Sequence, residues 1–392
     1  MIPYGKQDIS QADIDNVLDV LQSDFLTQGP AVPEFEDKIK NYCGVENAVA
    51  VNSATSALHI ACLALDVGPG DIVWTSPLTF VASSNCALYC GAKVDFIDTD
   101  PLTYNISVDV LRSKLEEAKK NGVLPKVVIP VHLTGQSCEM SEIYRLSKRY
   151  GFKIIEDASH AIGGKYLGKP VGNCAYSDIT VFSFHPVKII TTCEGGLATS
   201  NNNELAQKLR LLRSHGITRD QNQMENIPHG SWYYEQILLG FNYRMTDIQA
   251  ALGISQMNRL DQFITKRHEL ADRYNQMLKH LPLVLPWQNK DSYSSFHLYV
   301  VKYEPINCGK SFEEIFELIR GEGVGVNVHY MPVYKQPYYR HLGFSKNYCT
   351  EAEKYYQSAL SLPMYSGLTA EDQDKVINVL ENILKPTASL ID

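Results

Sequence analysis

The sequence predicts an α/β protein, a mainly parallel sheet flanked by helices, followed by a smaller α+β unit. Its 392 residues exceed the roughly 250–300 at which a single hydrophobic core stops growing, so two units are expected. From Ala48 to Phe184 short apolar runs alternate with helical spacing, the pattern of strands joined by crossover helices. Beyond about Met245 the texture changes to long helical stretches with few strands. The expected division is a large unit over residues 1–245 and a small one over 246–392.

The elements follow in order. "SQADIDNVLDVLQS" opens with a capping box, Ser10 to Asp13, and spaces Ile14, Val17, Leu18 and Leu21 on one helical face. A second helix ends near Gly44. The strands are then "AVAV", "DIVWTS", "VDFID", "KVVIPVHL", "KIIED" and "DITVFSF", with "ATSALHIACLAL" as the first crossover helix. The run Arg219 to Gln236, "RDQNQMENIPHGSWYYEQ", carries few structure signals, and loops of that length in compact domains are often functional. The second unit starts with one long helical stretch from Thr246 to Leu278. "HLYVVKY", a helix from near Ser311, "GVGVNVHY" and two more helices complete it.

Composition removes several function classes. With 36 basic against 44 acidic side chains the net charge is -8, and no basic block is present, which argues against a nucleic-acid binder. The N-terminus has no charged and apolar signal pattern, and every apolar window falls short of the ~18 residues a membrane span needs. A cytoplasmic protein is expected. Nine cysteines are scattered without the spacing of a zinc site, so they read as reduced core thiols and no metal is expected.

Three local signals converge. In "VAVNSATSALHIA" a strand runs through a hydroxyl-bearing turn into a helix, so the helix N-terminus with Thr55 and Ser56 can cradle a phosphate; the same residues also serve as ordinary caps. "KIIEDASHA" puts Asp157 at the C-terminal end of a buried strand, where open α/β sheets bind ligands. A buried carboxylate needs a partner, either a protonated pyridine nitrogen or a structural ion pair or cap. "SFHPVKIITTCEGG" delivers Lys188 directly after the strand "DITVFSF", and such a lysine can hold a carbonyl cofactor. Together a phosphate cradle, a strand-end carboxylate and a later lysine describe a pyridoxal phosphate site.

"NSATSAL", "SPLTFVAS", "EDASHAIGG", "SFHPVKIITTCEGG", "RSHGI" and "GFNYRMTDIQAALG" resemble, in order and over nearly the whole chain, the motifs of the DegT/DnrJ/EryC1 sugar-nucleotide aminotransferases. Within that family, "LTQGP", "SHGITRD" and "HYMPVY" are most similar to the branch of pseudaminic acid synthesis. The resemblance implies the pyridoxal phosphate transferase fold of type I with a seven-stranded, mainly parallel sheet. It implies Lys188 as the cofactor lysine, Asp157 as partner of the pyridine nitrogen and Phe80 as the ring-stacking aromatic, a residue that spacing alone assigns to core packing. Thr55, Ser56 and Ser183 fall on phosphate-binding positions, and Asn242 on one that reaches the phosphate of a neighbouring subunit, which makes a homodimer the expected assembly. His160 falls near the cofactor's ring hydroxyl, with a structural histidine as the alternative. Tyr4, Leu26, Thr27 and the segment His329, Tyr330, Met331 and Pro332 are implied for the sugar nucleotide, where they can equally be interface packing. Arg244 pairs with a carboxylate or diphosphate in the same reading. The implied reactants are L-glutamate and a UDP-4-keto-6-deoxy-N-acetylhexosamine, with another UDP- or dTDP-keto sugar as the alternative and pyridoxamine phosphate formed between the half-reactions.

Three rivals fare worse. A sugar dehydratase of the same fold has histidine where Lys188 stands. A non-catalytic effector module needs an attached DNA-binding segment. A Rossmann dehydrogenase lacks the GxGxxG spacing after a strand.

Overall fold

The structure is a computed structural model that describes residues 1–304 and 309–384. Its centre is a seven-stranded sheet built from β1 (Asn47–Val51), β2 (Ile72–Thr75), β3 (Lys93–Phe96), β4 (Val127–Ile129), β5 (Lys153–Asp157), β8 (Ile179–Ser183) and β9 (Gly196–Ser200), in the order β1-β9-β8-β5-β4-β2-β3. The hairpin β6 (Lys165–Tyr166) and β7 (Lys169–Pro170) lies between β5 and β8 in sequence and outside this sheet. β9 runs antiparallel to both β1 and β8, and every other pairing is parallel. Four of the strands, β1, β4, β8 and β9, are buried along their whole length, because helices cover both faces and leave no solvent side to alternate with.

The helices of this part are α1 (Gln11–Leu21), α2 (Ala31–Cys43), α3 (Ala54–Ala64), α4 (Ala82–Tyr89), α5 (Val108–Asn121), α6 (Met140–Tyr150) and α7 (Asn203–Arg213). The capping box at Ser10 and Asp13 starts α1, and Gly44 in the left-handed region (φ 66°) ends α2. Arg219 to Gln236 is an arm closed at its base by β10 (Ile217–Thr218) against β11 (Glu235–Gln236). Within it the Glu235 carboxylate accepts from the backbone of Glu225 and Asn226 and from the Tyr233 hydroxyl, while Ile227 and Trp232 stay exposed.

The long helical stretch expected from Thr246 to Leu278 is two helices, α8 (Asp247–Met257) and α9 (Leu260–Leu278), broken at Asn258–Arg259. The break lets α8 pack on α1 and α2. Arg259 at the junction pairs with Asp13 at 2.5 Å and Asp8 at 2.8 Å, and Asp13 is fully buried. Ala250, Ile254 and Phe263 share a core with Phe35 and Phe184, whereas Leu270, Tyr274 and Leu278 belong to a second core around Tyr299 and Leu362.

That second core contains β12 (Leu283–Val284), β14 (Tyr299–Tyr303) and β15 (Ala359–Leu362), with β13 (Ser292–Tyr293) added to the β6 hairpin. Its helices are α10 (Phe312–Gly321), capped by Ser311 as expected, then α11 (Pro337–His341), α12 (Thr350–Tyr356) and α13 (Ala370–Leu384). "GVGVNVHY" is not a regular strand. It makes isolated bridges, Val324 to Ile2 and Asn327 to Ser361, because it crosses between the N-terminal segment and β15 rather than joining one sheet edge. Three helices follow it, not two. All the described cysteines except Cys193 are buried. No described helix is long and apolar enough to cross a membrane, and no described group of His, Cys, Asp and Glu side chains is arranged to hold a metal.

Candidate active site

A cavity of about 820 Å³ opens over the C-terminal ends of β5 and β8, the place where a parallel sheet leaves its strand ends and helix N-termini free for a ligand. Of the residues singled out from sequence, Tyr4, Thr55, Ser56, Phe80, Asp157, His160, Ser183, Lys188, His329, Tyr330 and Met331 line it. Leu26, Thr27, Pro332, Asn242 and Arg244 do not. Leu26 and Thr27 are exposed beside the start of α8, where the Leu26 carbonyl accepts from the Asp247 N–H at 3.0 Å. Pro332 is buried and Asn242 exposed. Arg244 lines a separate cavity of about 560 Å³ with Arg219, His215 and Tyr234.

Asp157 is buried at the last position of β5. Its Oδ2 accepts from the Ser83 hydroxyl at 2.5 Å and its Oδ1 from the Ser159 backbone N–H at 3.1 Å. Ser83 in turn lies 2.7 Å from the Thr79 hydroxyl. Among the described residues no cation forms a salt bridge with Asp157, its hydrogen-bond donors are neutral, and Lys188 is the charge within electrostatic reach. Lys188 is the complementary case. Half-buried in the cavity wall, its amine has no hydrogen bond or ion pair among the described residues. Burial pushes it down to about 8, and the Asp157 charge partly opposes that fall.

At the other end, the N-cap of α3 is Ser53, whose side chain accepts from the Ser56 N–H at 3.1 Å. Gly196 makes this turn fit: a Cβ there would come within 2.4 Å of the Ala54 nitrogen, so only glycine lets β9 pass so close. The Ser56 hydroxyl donates to Asn52 at 2.7 Å, and Ser183 supplies a second hydroxyl from the end of β8. Phe80 is 61% exposed at the cavity rim, which rules out the core-packing role that spacing alone assigns to it.

Three buried histidines complete the wall. His160 Nε2 lies 3.1 Å from the Tyr330 hydroxyl, while its Nδ1 is buried without a partner. His329 Nδ1 bonds Ser361 at 2.8 Å. His297 stacks at 4.4 Å, tilted, on His160. Burial holds all three below the ordinary imidazole range, His329 at about 4, and the Lys188 ammonium adds to the effect at each.

Residues 7–381 match the DegT/DnrJ/EryC1/StrS aminotransferase family. The chain belongs to that family. The aminotransferase is 40% identical over 391 residues to the UDP-4-amino-4,6-dideoxy-N-acetyl-β-L-altrosamine transaminase of Campylobacter jejuni, covering 98% of this chain and 99% of that one. It is 38% identical over 390 residues to the spore coat polysaccharide biosynthesis protein SpsC of Bacillus subtilis, covering 98% and 97%. Among solved structures, Helicobacter pylori PseC, an aminotransferase involved in the biosynthesis of pseudoaminic acid, aligns with a TM-score of 0.89 at 30% identity over 98% of this chain and 99% of that one. The PMP form of Spr1654 from Streptococcus pneumoniae aligns with a TM-score of 0.88, also at 30% identity, over 98% and 99%.

The aminotransferase is thus a pyridoxal phosphate-dependent enzyme of sugar nucleotides, with the type I fold, and the residues present suit that cofactor. A helix N-terminus with hydroxyls suits a phosphate, a buried carboxylate without an ion pair among the described residues suits a pyridinium, and an amine without a described partner suits an aldehyde. Sequence reasoning had not singled out Ser53, Ser83 or His297. The four-residue step from Thr79 to Ser83 at the start of α4 was a usable signal; His297, set just before a strand, offers none.

Proposed function

We propose that this enzyme moves an amino group from L-glutamate to C4 of UDP-2-acetamido-2,6-dideoxy-β-L-arabino-hexos-4-ulose. The products are 2-oxoglutarate and UDP-4-amino-4,6-dideoxy-N-acetyl-β-L-altrosamine, an intermediate of pseudaminic acid synthesis. The observation that carries the reading is the unpartnered Lys188 amine set with the buried Asp157 in one cavity. Full-length likeness to the altrosamine transaminase supports the choice of sugar. When bound, pyridoxal phosphate supplies the carbonyl that carries the amino group and a ring that takes up electron density.

The chain's own residues do the rest. Lys188, neutral in part near pH 8, takes the proton from the donor's Cα and returns one to the sugar's C4 in the second half-reaction. Asp157, oriented by Ser83 and by the Ser159 N–H, keeps a positive charge opposite its carboxylate. Thr55, Ser56 and Ser183 with the first N–H groups of α3 would hold the phosphate, and Phe80, at the cavity rim, would cover the ring. His160, steadied by Tyr330, would bond the ring hydroxyl. Tyr4 and His329 to Met331 line the way to the sugar nucleotide.

In this reading residues 1–245 form the cofactor-binding unit and 246–392 the smaller one, with α8 and the start of α9 packing back on the larger core. The functional assembly is a cytoplasmic homodimer. Asn242, exposed and away from its own cavity, reaches the partner's phosphate, and Leu26, Thr27 and Arg244 serve the sugar nucleotide across the same interface. The test is to load the protein with pyridoxal phosphate, convert its visible band with L-glutamate, and offer 4-keto UDP-sugars of both C5 configurations. Return of the band with the L-arabino sugar alone supports the assignment. Return with the D-xylo epimer or a dTDP sugar overturns the substrate. Lys188→Ala is expected to lose nearly all turnover, at least the ~10²–10⁴ of positioned proton transfer, and turnover near wild type refutes its role.

A further inference from the structure

The cavity has a chemical imbalance. The proposed amino donor carries two carboxylates, yet among the described residues of one chain the cavity wall contains no arginine, and its one ammonium is Lys188, which the chemistry itself occupies. Arg244, the residue sequence reading offered for a carboxylate, lines a different cavity of the chain. Within one chain the groups left to meet the donor's carboxylate are neutral N–H groups of the wall, and one is set apart by its construction.

His297 is buried and lines the cavity beside His160. Its Nδ1 is closed off without a partner, so Nε2 is the ring nitrogen left to face the cavity. The tautomer that can satisfy its N–H therefore carries the proton on Nε2. The backbone that delivers this ring is fixed from several sides. Arg267, 2% exposed and with no carboxylate partner among the described residues, donates through Nη1 to the carbonyls of Phe296 at 3.0 Å, His297 at 3.1 Å and Met364 at 3.0 Å. Ser295 donates to the His160 carbonyl at 2.7 Å, which ties the two histidine segments together. Phe296 sits at φ 44°, in the left-handed region that a bulky residue rarely adopts. A guanidinium buried without a carboxylate and a strained phenylalanine both cost stability, and such costs gather where geometry serves a site.

We propose that His297 is a specificity-determining residue that donates an Nε2 hydrogen bond to a carboxylate oxygen of the amino donor, and that Arg267 is the positioning residue that aims it. The inference rests on the reading of the protein as a transaminase with an acidic donor. A hydrogen bond to a charged group is worth ~1.5–3 kcal/mol, about ten- to a hundredfold in half-saturation.

The experiment follows the two half-reactions of the loaded enzyme separately by its visible band. His297→Ala is expected to raise the half-saturation for L-glutamate about ten- to a hundredfold, while cofactor retention and the keto-sugar half-reaction stay as in wild type. His297→Gln, which keeps an N–H donor, recovers part of the loss. Binding of glutarate, a dicarboxylate without the amine, measured by calorimetry, weakens in parallel. Arg244→Ala is measured alongside, as the guanidinium that would meet the donor's carboxylate if it came from a second subunit. Unaltered glutamate and glutarate binding in His297→Ala overturns the proposal, as does an equal loss in both half-reactions or a loss confined to Arg244→Ala. If the wild type is not converted by L-glutamate while the sugar half-reaction proceeds from the amine form, the donor reading fails and this inference with it. If the loaded wild type shows neither half-reaction, the transaminase reading itself fails.

Discussion

The depressed proton affinity of Lys188 makes a quantitative demand on how the apoprotein captures pyridoxal phosphate. Capture needs the neutral amine. At about pH 7.5 an ordinary lysine is neutral in roughly one molecule per thousand, whereas a group titrating near 8 is neutral in about a quarter, a gain of about two hundredfold. The sign follows from the charge of the species. Burial disfavours the ammonium, so the neutral form appears at lower pH, and the capture rate should rise through about 8 and level off above it. The Asp157 carboxylate works the other way by favouring the ammonium, so Asp157→Asn should move the midpoint below about 8. His329 holds its neutral form down to about 4 and adds no titration in this window. The assay is stopped-flow absorbance of the visible band against pH for wild type, Asp157→Asn and Lys188→Ala. A wild-type midpoint near the ordinary lysine value of ~10.4, or an upward shift in Asp157→Asn, refutes the account of burial as the dominant cause.

Two further outcomes test the architecture. Phe80→Ala should leave the thermal midpoint unchanged, because the ring is exposed, yet weaken cofactor retention by ~0.5–1.5 kcal/mol, about two- to tenfold in equilibrium dialysis; a large stability loss instead would return Phe80 to the core. Arg259→Ala strands the fully buried Asp13 without its cation and should cost ~3–5 kcal/mol, read as a lowered thermal midpoint, with partial recovery in the Asp13→Ala/Arg259→Ala pair; an unchanged midpoint would mean the α8–α9 break is held by packing alone.

The cofactor end of the site is the part most readable from sequence. Asp157 closes an apolar strand run and Lys188 follows another, so each position was fixed by local pattern. The capping boxes of α1 and the Ser311 cap of α10 are equally local, since a hydroxyl three residues before its partner satisfies an N–H whatever the rest of the chain does. The unbroken helix expected after Thr246 failed for the opposite reason. Its apolar spacing continues through the junction, where Arg259 pairs with Asp8 and Asp13 some 250 positions away in sequence, a contact no local pattern announces.

The sequence by itself determined an alternating α/β chain, the order of phosphate cradle, strand-end carboxylate and lysine, and through its motifs the family. Those are properties of short segments, in which periodicity and caps act over a few residues. The tertiary structure decided what surrounds Lys188. It brought Ser83 from α4 onto Asp157, and His297 and His329 from the second core onto the same cavity. It also kept Arg244 and Asn242 out of that cavity. The physical reason is that burial and contact between distant segments depend on how sheet and helices close on one another, and no window of sequence carries that distance.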